Sequence, residues 1–241
     1  IASPENHIRQ PFDVLHYDVR LDLTKAPSTE TNGVCNIHYV WEEEPDTNKF
    51  YFHLRGLNVD SAFYGEEEVA PEAQGTPESA TYHYSVDPAA GVSKGDTSVL
   101  TVYYSGEMTN EGPPGQWGGV SSNGDDLFAM GVGFYNNYIS TTQHWMPCYD
   151  HPSDKASYRG EFIVKPGMTV ASNGSVTVQH PDNGTDVYIW DHPHQCATYM
   201  LTFAVNDYDT LHFGNGDIPI VCYTMESLKE ASRFYYRRVP R

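Results

Sequence analysis

The chain has 241 residues and carries 14 Lys and Arg against 32 Asp and Glu, a formal net charge of −18 at pH 7. Holding nucleic-acid phosphates requires clustered cations that displace condensed counterions, so this balance excludes a nucleic-acid binder and disfavours an anionic membrane surface. Its 10 Phe, 4 Trp and 18 Tyr supply apolar area for a sizeable core, which excludes a disordered chain and fits one large domain.

Residues 16–24 alternate, with Tyr17, Val19, Leu21 and Leu23 on one face and His16, Asp18, Arg20, Asp22 and Thr24 on the other. That period of two predicts a half-buried strand. Similar short runs follow at 35–41, 50–54, 81–86, 99–104, 158–164, 185–190, 198–205 and 218–223, separated by Gly, Pro, Asn and Asp clusters. Between them there is no 3.6-residue apolar period of the kind a crossover helix needs, so the pattern predicts an all-β architecture of twisted antiparallel sheets, sandwich-like, and not a parallel sheet. Residues 66–79 are acidic and contain Pro, and residues 105–125 contain Gly-Pro-Pro-Gly and Gly-Gly; both read as long exposed loops. Asn173-Gly174 and Asn183-Gly184 open glycosylation-type tripeptides but read first as hairpin turns. From Met225 the character changes: Met225, Leu228, Ser232, Tyr235 and Val239 fall at helical spacing, and Lys229, Arg233, Arg237, Arg238 and Arg241 outnumber Glu226 and Glu230. A helix is expected there, and the charge change marks a junction that separates residues 1–224 from 225–241.

No apolar run approaches the roughly 20 residues that cross a bilayer, so no membrane span is expected. The Ile1-Ala2-Ser3-Pro4 start fits a processed or excised chain. Cys35, Cys148, Cys196 and Cys222 form no CxxC pair and no small-domain disulfide framework. The compartment stays open, with an extracellular or periplasmic one preferred to the cytoplasm.

The densest cluster is His144-Trp145-Met146-Pro147-Cys148-Tyr149-Asp150-His151-Pro152-Ser153-Asp154-Lys155-Ala156. Two prolines five residues apart fix φ and cannot donate to a ladder, so this reads as a rigid corner leading into a strand, with Asp150 placed to accept backbone N–H groups. A Cys148/His151 nucleophile pair is the catalytic alternative, but nothing marks Cys148 as a lowered-pKa thiol. His192, His194 and Cys196 alternate and, with His144 or His151, could hold zinc; their spacing is not that of a usual all-protein zinc site, and Pro193 argues for a bend. The chain contains no His-Glu-x-x-His, no Gly-x-Gly-x-x-Gly and no phosphate loop, so no reaction centre of its own is expected.

The corner from Trp145 to Ala156, followed by a strand, then by Pro166-Gly-Met-Thr-Val170 and Ser172-Asn-Gly174, resembles the N-terminal domain of the zinc aminopeptidase family that includes aminopeptidase N and leukotriene hydrolase. His16-Tyr17-Asp18-Val19 with Leu21, and Tyr199-Met-Leu-Thr-Phe203 before Asp207-Tyr208, look like the opening and closing strands of that domain. The resemblance covers nearly the whole chain. It implies a saddle-shaped β domain (1–224) that roofs the active-site cleft of a catalytic domain, with 225–241 looking like that domain's first helix. It also implies that the zinc, its His-Glu-x-x-His helix and the exopeptidase loop lie in that catalytic domain, so that this segment holds no cofactor and is inactive alone. Its partners would then be that catalytic domain and peptide N-termini. The family places an acidic or amide side chain about ten residues before the Pro-Cys pair to hold the substrate's free amine. A gap-free match puts Tyr138 there, with Asn137 beside it and Gln143 five residues on, making Tyr138, Asn137 and Gln143 the candidate substrate-binding residues. Tyr138 departs from the family pattern, since its hydroxyl or ring face can meet an ammonium but carries no charge. Residues 105–137, with Trp117, Gly118, Gly119, Phe128, Phe134 and Tyr135, together with Tyr138, are expected to present an exposed apolar patch toward the catalytic domain. The competing reading is a stand-alone carbohydrate- or protein-binding β module, which would show a line of exposed, coplanar aromatics on one sheet face.

Overall fold

The computed structural model describes residues 10–45, 48–77, 79, 82–113, 117–134, 140–213 and 220–238. The strands, in chain order, are β1 (Phe12–Asp22), β2 (Glu30–Trp41), β3 (Phe50–Phe52), β4 (Leu57–Tyr64), β5 (Glu67–Val69), β6 (Glu72–Gln74), β7 (His83–Val86), β8 (Thr97–Glu107), β9 (Gly119–Asn123) and β10 (Asp126–Met130). They continue with β11 (Ala156–Val164), β12 (Thr169–Ser172), β13 (Ser175–Gln179), β14 (Asp186–Cys196), β15 (Thr202–Asn206), β16 (Asp209–Phe213) and β17 (Ile220–Thr224), before one helix, α1 (Lys229–Tyr236). Eight strands form one sheet in the order β13-β14-β11-β1-β2-β8-β4-β5. Four more form the sheet β12-β15-β10-β9, three form β3-β7-β6, and β16 pairs with β17. The fold is the mostly β, several-sheet architecture that the alternating runs predict.

Within β1 the inward residues are Phe12, Val14, Tyr17, Val19 and Leu21. The register against β2 shifts between Val14 and His16, so the extra residue lets both halves of the strand bury the same face. The core lies between the sheets. Phe50 of β3 stacks on Tyr39 of β2 (4.0 Å between ring centroids) and tilts against Phe12 of β1 (4.6 Å). On the other side Phe203 of β15 meets Phe162 of β11 (5.4 Å) and Trp145 (5.3 Å).

Four expectations change. β1 and β11 pair in parallel, His16 opposite Ser157 through Asp22 opposite Ile163. A parallel pair needs a long connection but not a helical one, and here β2 to β10 supply it. The stretch 66–79 contains β5 and β6, and 105–125 holds the end of β8 and β9. Edge strands of three to five residues are too short to show an apolar alternation. The run 198–205 splits into a 3-10 turn (Thr198–Met200) and β15. Finally, Asn173-Gly174 is not a hairpin: Gly174, at φ 101°, carries the chain from β12 in the four-stranded sheet to β13 at the edge of the eight-stranded one. Asn183-Gly184 does close the β13–β14 hairpin, with Asn183 Oδ1 accepting from Thr185 N (3.2 Å) and Oγ1 (2.7 Å).

Candidate functional site

The corner is a buried hub. Every residue from Ser140 to Asp150 is buried, and the corner, on to Asp154, is bonded to His53 and to β1, both distant in sequence. Cys148 exchanges backbone bonds with His53 (2.7 and 3.1 Å), Tyr149 N donates to the Tyr17 hydroxyl of β1 (2.9 Å), and Val14 N donates to Asp154 Oδ1 (3.3 Å). Asp150 accepts the backbone N–H of Gln143 (3.0 Å), as its place in the motif predicts, and also the Gln143 amide (3.1 Å), the Thr198 hydroxyl (2.6 Å) and the Ser140 hydroxyl. Burial raises the Asp150 carboxyl above its ordinary value while these donors pull it back. Gln143 Oε1 in turn accepts from Arg55 Nε (2.5 Å), and the Arg55 guanidinium donates to the carbonyls of Pro77 and Ser79.

A second carboxylate works beside it. Glu111, also buried, accepts Trp117 N (3.1 Å) and Gly118 N (2.8 Å) on Oε1 and Phe134 N (2.8 Å) on Oε2. His144, whose Nδ1 pairs with Thr109 Oγ1 (2.8 Å), lies nearby. Burial and the Arg55 charge lower the His144 pKa to about 4, against an opposing pull from Glu111, so its ring is neutral at pH 7. Above this polar floor stand Trp117 and Phe134, 51% and 66% exposed, packed edge to face at 5.9 Å. Phe128 is half-buried, and Gly118 and Gly119 are buried.

Of the three candidate substrate-binding residues, Asn137 and Tyr138 lie outside the described residues, as does Tyr135. Those on either side are fixed: Phe134 by Glu111, and Ser140 by Asp150 and by a bridge to Val132. Gln143 is 2% exposed and its amide is bonded on both sides, to Arg55 and to Asp150 and the Ser140 carbonyl (3.1 Å). In this arrangement it braces the corner. Arg55 and Glu111 were not singled out from sequence. Arg55 sits at the end of an ordinary strand run, and the one signal for Glu111 was an acid inside a Gly-rich stretch whose backbone N–H groups need acceptors.

Cys148 is fully buried, and burial with the adjacent Asp150 pushes its thiol up, the opposite of a nucleophile's requirement. His151 bonds Ser153 Oγ (2.6 Å) instead. In β14, His192 Nδ1 turns to the His194 carbonyl (2.8 Å), and the register against β11 slips around Pro193, which has no N–H to give the ladder. Among the described residues no group of three His, Cys, Asp or Glu is placed to hold a metal ion, which includes the His192, His194 and Cys196 set. Gly91-Val92-Ser93-Lys94-Gly95 has the spacing of a serine-hydrolase elbow. It forms an exposed turn between two strands, closed by Ser93 N donating to Asp96 Oδ2 (2.9 Å).

Comparisons with known proteins give this geometry a family. The chain is 29% identical over 116 residues to a leucyl aminopeptidase of Saccharolobus solfataricus, covering 43% of this chain and 15% of that protein. It is 29% identical over 82 residues to a probable aminopeptidase 1 of Sulfurisphaera tokodaii, covering 31% and 10%. The matches thus span a small part of the curated relatives' length. Among solved structures, an M1 zinc metallopeptidase of Deinococcus radiodurans superposes with a TM-score of 0.71 at 21% identity over 88% of this chain and 46% of that one. Aminopeptidase A of Legionella pneumophila gives 0.73 at 12% identity over 94% and 25%. These two share the fold. The profile of the peptidase M1 N-terminal domain matches residues 13–200, well over half of the chain and including the whole buried corner, and this chain therefore belongs to that family.

Proposed function

We propose that the longer protein is a zinc-dependent aminopeptidase, in which this domain covers the active-site cleft and helps to position the free amino end of peptides. The observation that carries the reading is the pair of buried carboxylates, Glu111 and Asp150, fixing the residues on either side of Asn137 and Tyr138 within a matched M1 N-terminal domain. Zinc and the attack on the first peptide bond belong in this reading to a catalytic domain that 225–241 leads into. The excess of acids, 32 against 14 cations, favours the approach of a cationic peptide end. The aromatics left exposed among the described residues do not form a coplanar line: Trp117 and Phe134 cross edge to face, Tyr103 on β8 meets Phe63 edge to face, and Phe234, Tyr235 and Tyr236 stand on α1. Nothing there favours a sugar-stacking module.

The test compares this chain with a protein extended through the downstream reading frame. The extended protein is expected to release N-terminal amino acids from peptides and to lose that activity on chelation, while the 241-residue chain gives none. In the extended protein Tyr138→Phe should raise KM several-fold for every substrate alike. Zinc-dependent release by the chain alone would overturn the division of labour.

A further inference from the structure

Burying a carboxylate is costly unless donors satisfy it, and Glu111 uses both its oxygens on backbone amides of two residues whose rings face solvent. We propose, building on the aminopeptidase reading above, that Trp117 and Phe134 form a preformed apolar wall for the side chain of the peptide's first residue, and that Glu111 is the positioning residue that holds the wall in place. The backbone beneath the pair is close-packed. A methyl at Gly118 would meet Val132 O at 2.5 Å and Thr141 Oγ1 at 2.6 Å, and one at Gly133 would meet Glu111 Oε2 at 2.9 Å. Thr141 Oγ1 also accepts Gly119 N (2.9 Å) and donates to Met130 O (2.8 Å), tying the start of β9, just after Trp117, to the end of β10, just before Phe134.

Rigid aromatics bind with little loss of side-chain entropy, so fixing the backbone of both rings is what a preformed contact requires. The choice of occupant follows from covalent structure. The ammonium and the first side chain of a peptide branch from one Cα, so a surface flanking the residues assigned to the amino end meets that side chain. Phe134 is four residues before Tyr138 in the chain. Edge-to-face rings suit a large apolar or aromatic side chain.

The experiment measures kcat/KM of the extended protein on anilides of Phe and of Ala. Trp117→Ala and Phe134→Ala are each expected to lower the Phe-over-Ala preference by about tenfold, in the range that losing apolar contact gives. Glu111→Gln leaves both rings intact and is expected to lower it by about threefold or more. Trp41, Trp145 and Trp190 are buried, so the solvent-exposed part of the emission of this chain belongs to Trp117, and Glu111→Gln should shift it to longer wavelength. An unchanged preference in the ring variants, or an equal fall on both substrates, which would mark the pair as a contact between domains, overturns the wall. An unchanged preference in a folded Glu111→Gln protein overturns the role of Glu111. Should that variant fail to fold, the ring variants decide. If the extended protein hydrolyses neither anilide, the aminopeptidase reading fails and the wall with it, while the Trp117 emission still decides whether Glu111 sets the ring.

Discussion

Asp154 shows how a single buried group makes this fold sensitive to pH. It is 8% exposed, the Asp13 carboxyl of β1 faces it within side-chain hydrogen-bond reach, and Glu42, just past β2, lies beyond Asp13, with Tyr17 and Tyr149 close by. Burial first, then the Asp13 carboxyl, raise its pKa to about 7, against the opposing bond from Val14 N. The folded state therefore keeps a proton that the unfolded chain loses near the ordinary value of 3.8. Stability from this group is fully present below about pH 4 and is lost as pH rises through about 7. Melting temperatures measured from pH 5 to 8 should fall across that window, and Asp154→Asn should flatten the slope; an unchanged slope would refute the assignment. Asp150 is the contrasting case, since its donors hold it as an acceptor. Asp150→Asn would turn an amide toward groups that are themselves donors, and urea denaturation should register a loss of about 2–4 kcal/mol.

At the scale of elements, two Asn-Gly turns of the same composition do different work. Gly184 sits at a hairpin tip, at φ 78° with open space around it, so Gly184→Ala should cost about 1–2 kcal/mol, the penalty of a left-handed conformation alone. Gly174, at φ 101°, lies where an added methyl would run into the Asp191 carbonyl oxygen of β14, as the chain changes sheets. A methyl there overlaps backbone that cannot move without breaking the β13–β14 ladder, so Gly174→Ala should cost clearly more than Gly184→Ala. Chemical denaturation of the two variants side by side checks the order. Both glycines look alike in sequence because the difference lies in what the turn packs against.

For the whole molecule, the telling feature is what α1 leaves uncovered. None of its residues is buried, and Leu228, Phe234, Tyr235 and Tyr236 are 47–75% exposed. Its ion pairs, Lys229 with Asp209 (2.9 Å) and Arg233 with Glu230, are exposed to solvent, and such screened pairs add little. Deleting residues 225–241 should therefore lower the melting temperature by no more than about 4 °C and reduce the binding of a hydrophobic dye. Cooperative loss of the β sheets on deletion would show instead that the helix belongs to this core.

Strand positions and the fold class were legible in sequence because each long strand buries one face, and burial writes a period of two into the residues; Tyr17 to Leu21 is such a run. The corner was legible as a rigid element because proline chemistry acts locally, and so was Asp150, whose partner Gln143 lies seven residues away. Hidden were the contacts between residues far apart in the chain: the parallel pairing of β1 with β11, the brace from Arg55 to Gln143, and the Glu111 clasp on Phe134. Composition and spacing report what a residue does to its own backbone. Which carboxylate reaches which amide depends on how the sheets close over one another, and only the tertiary structure decided that.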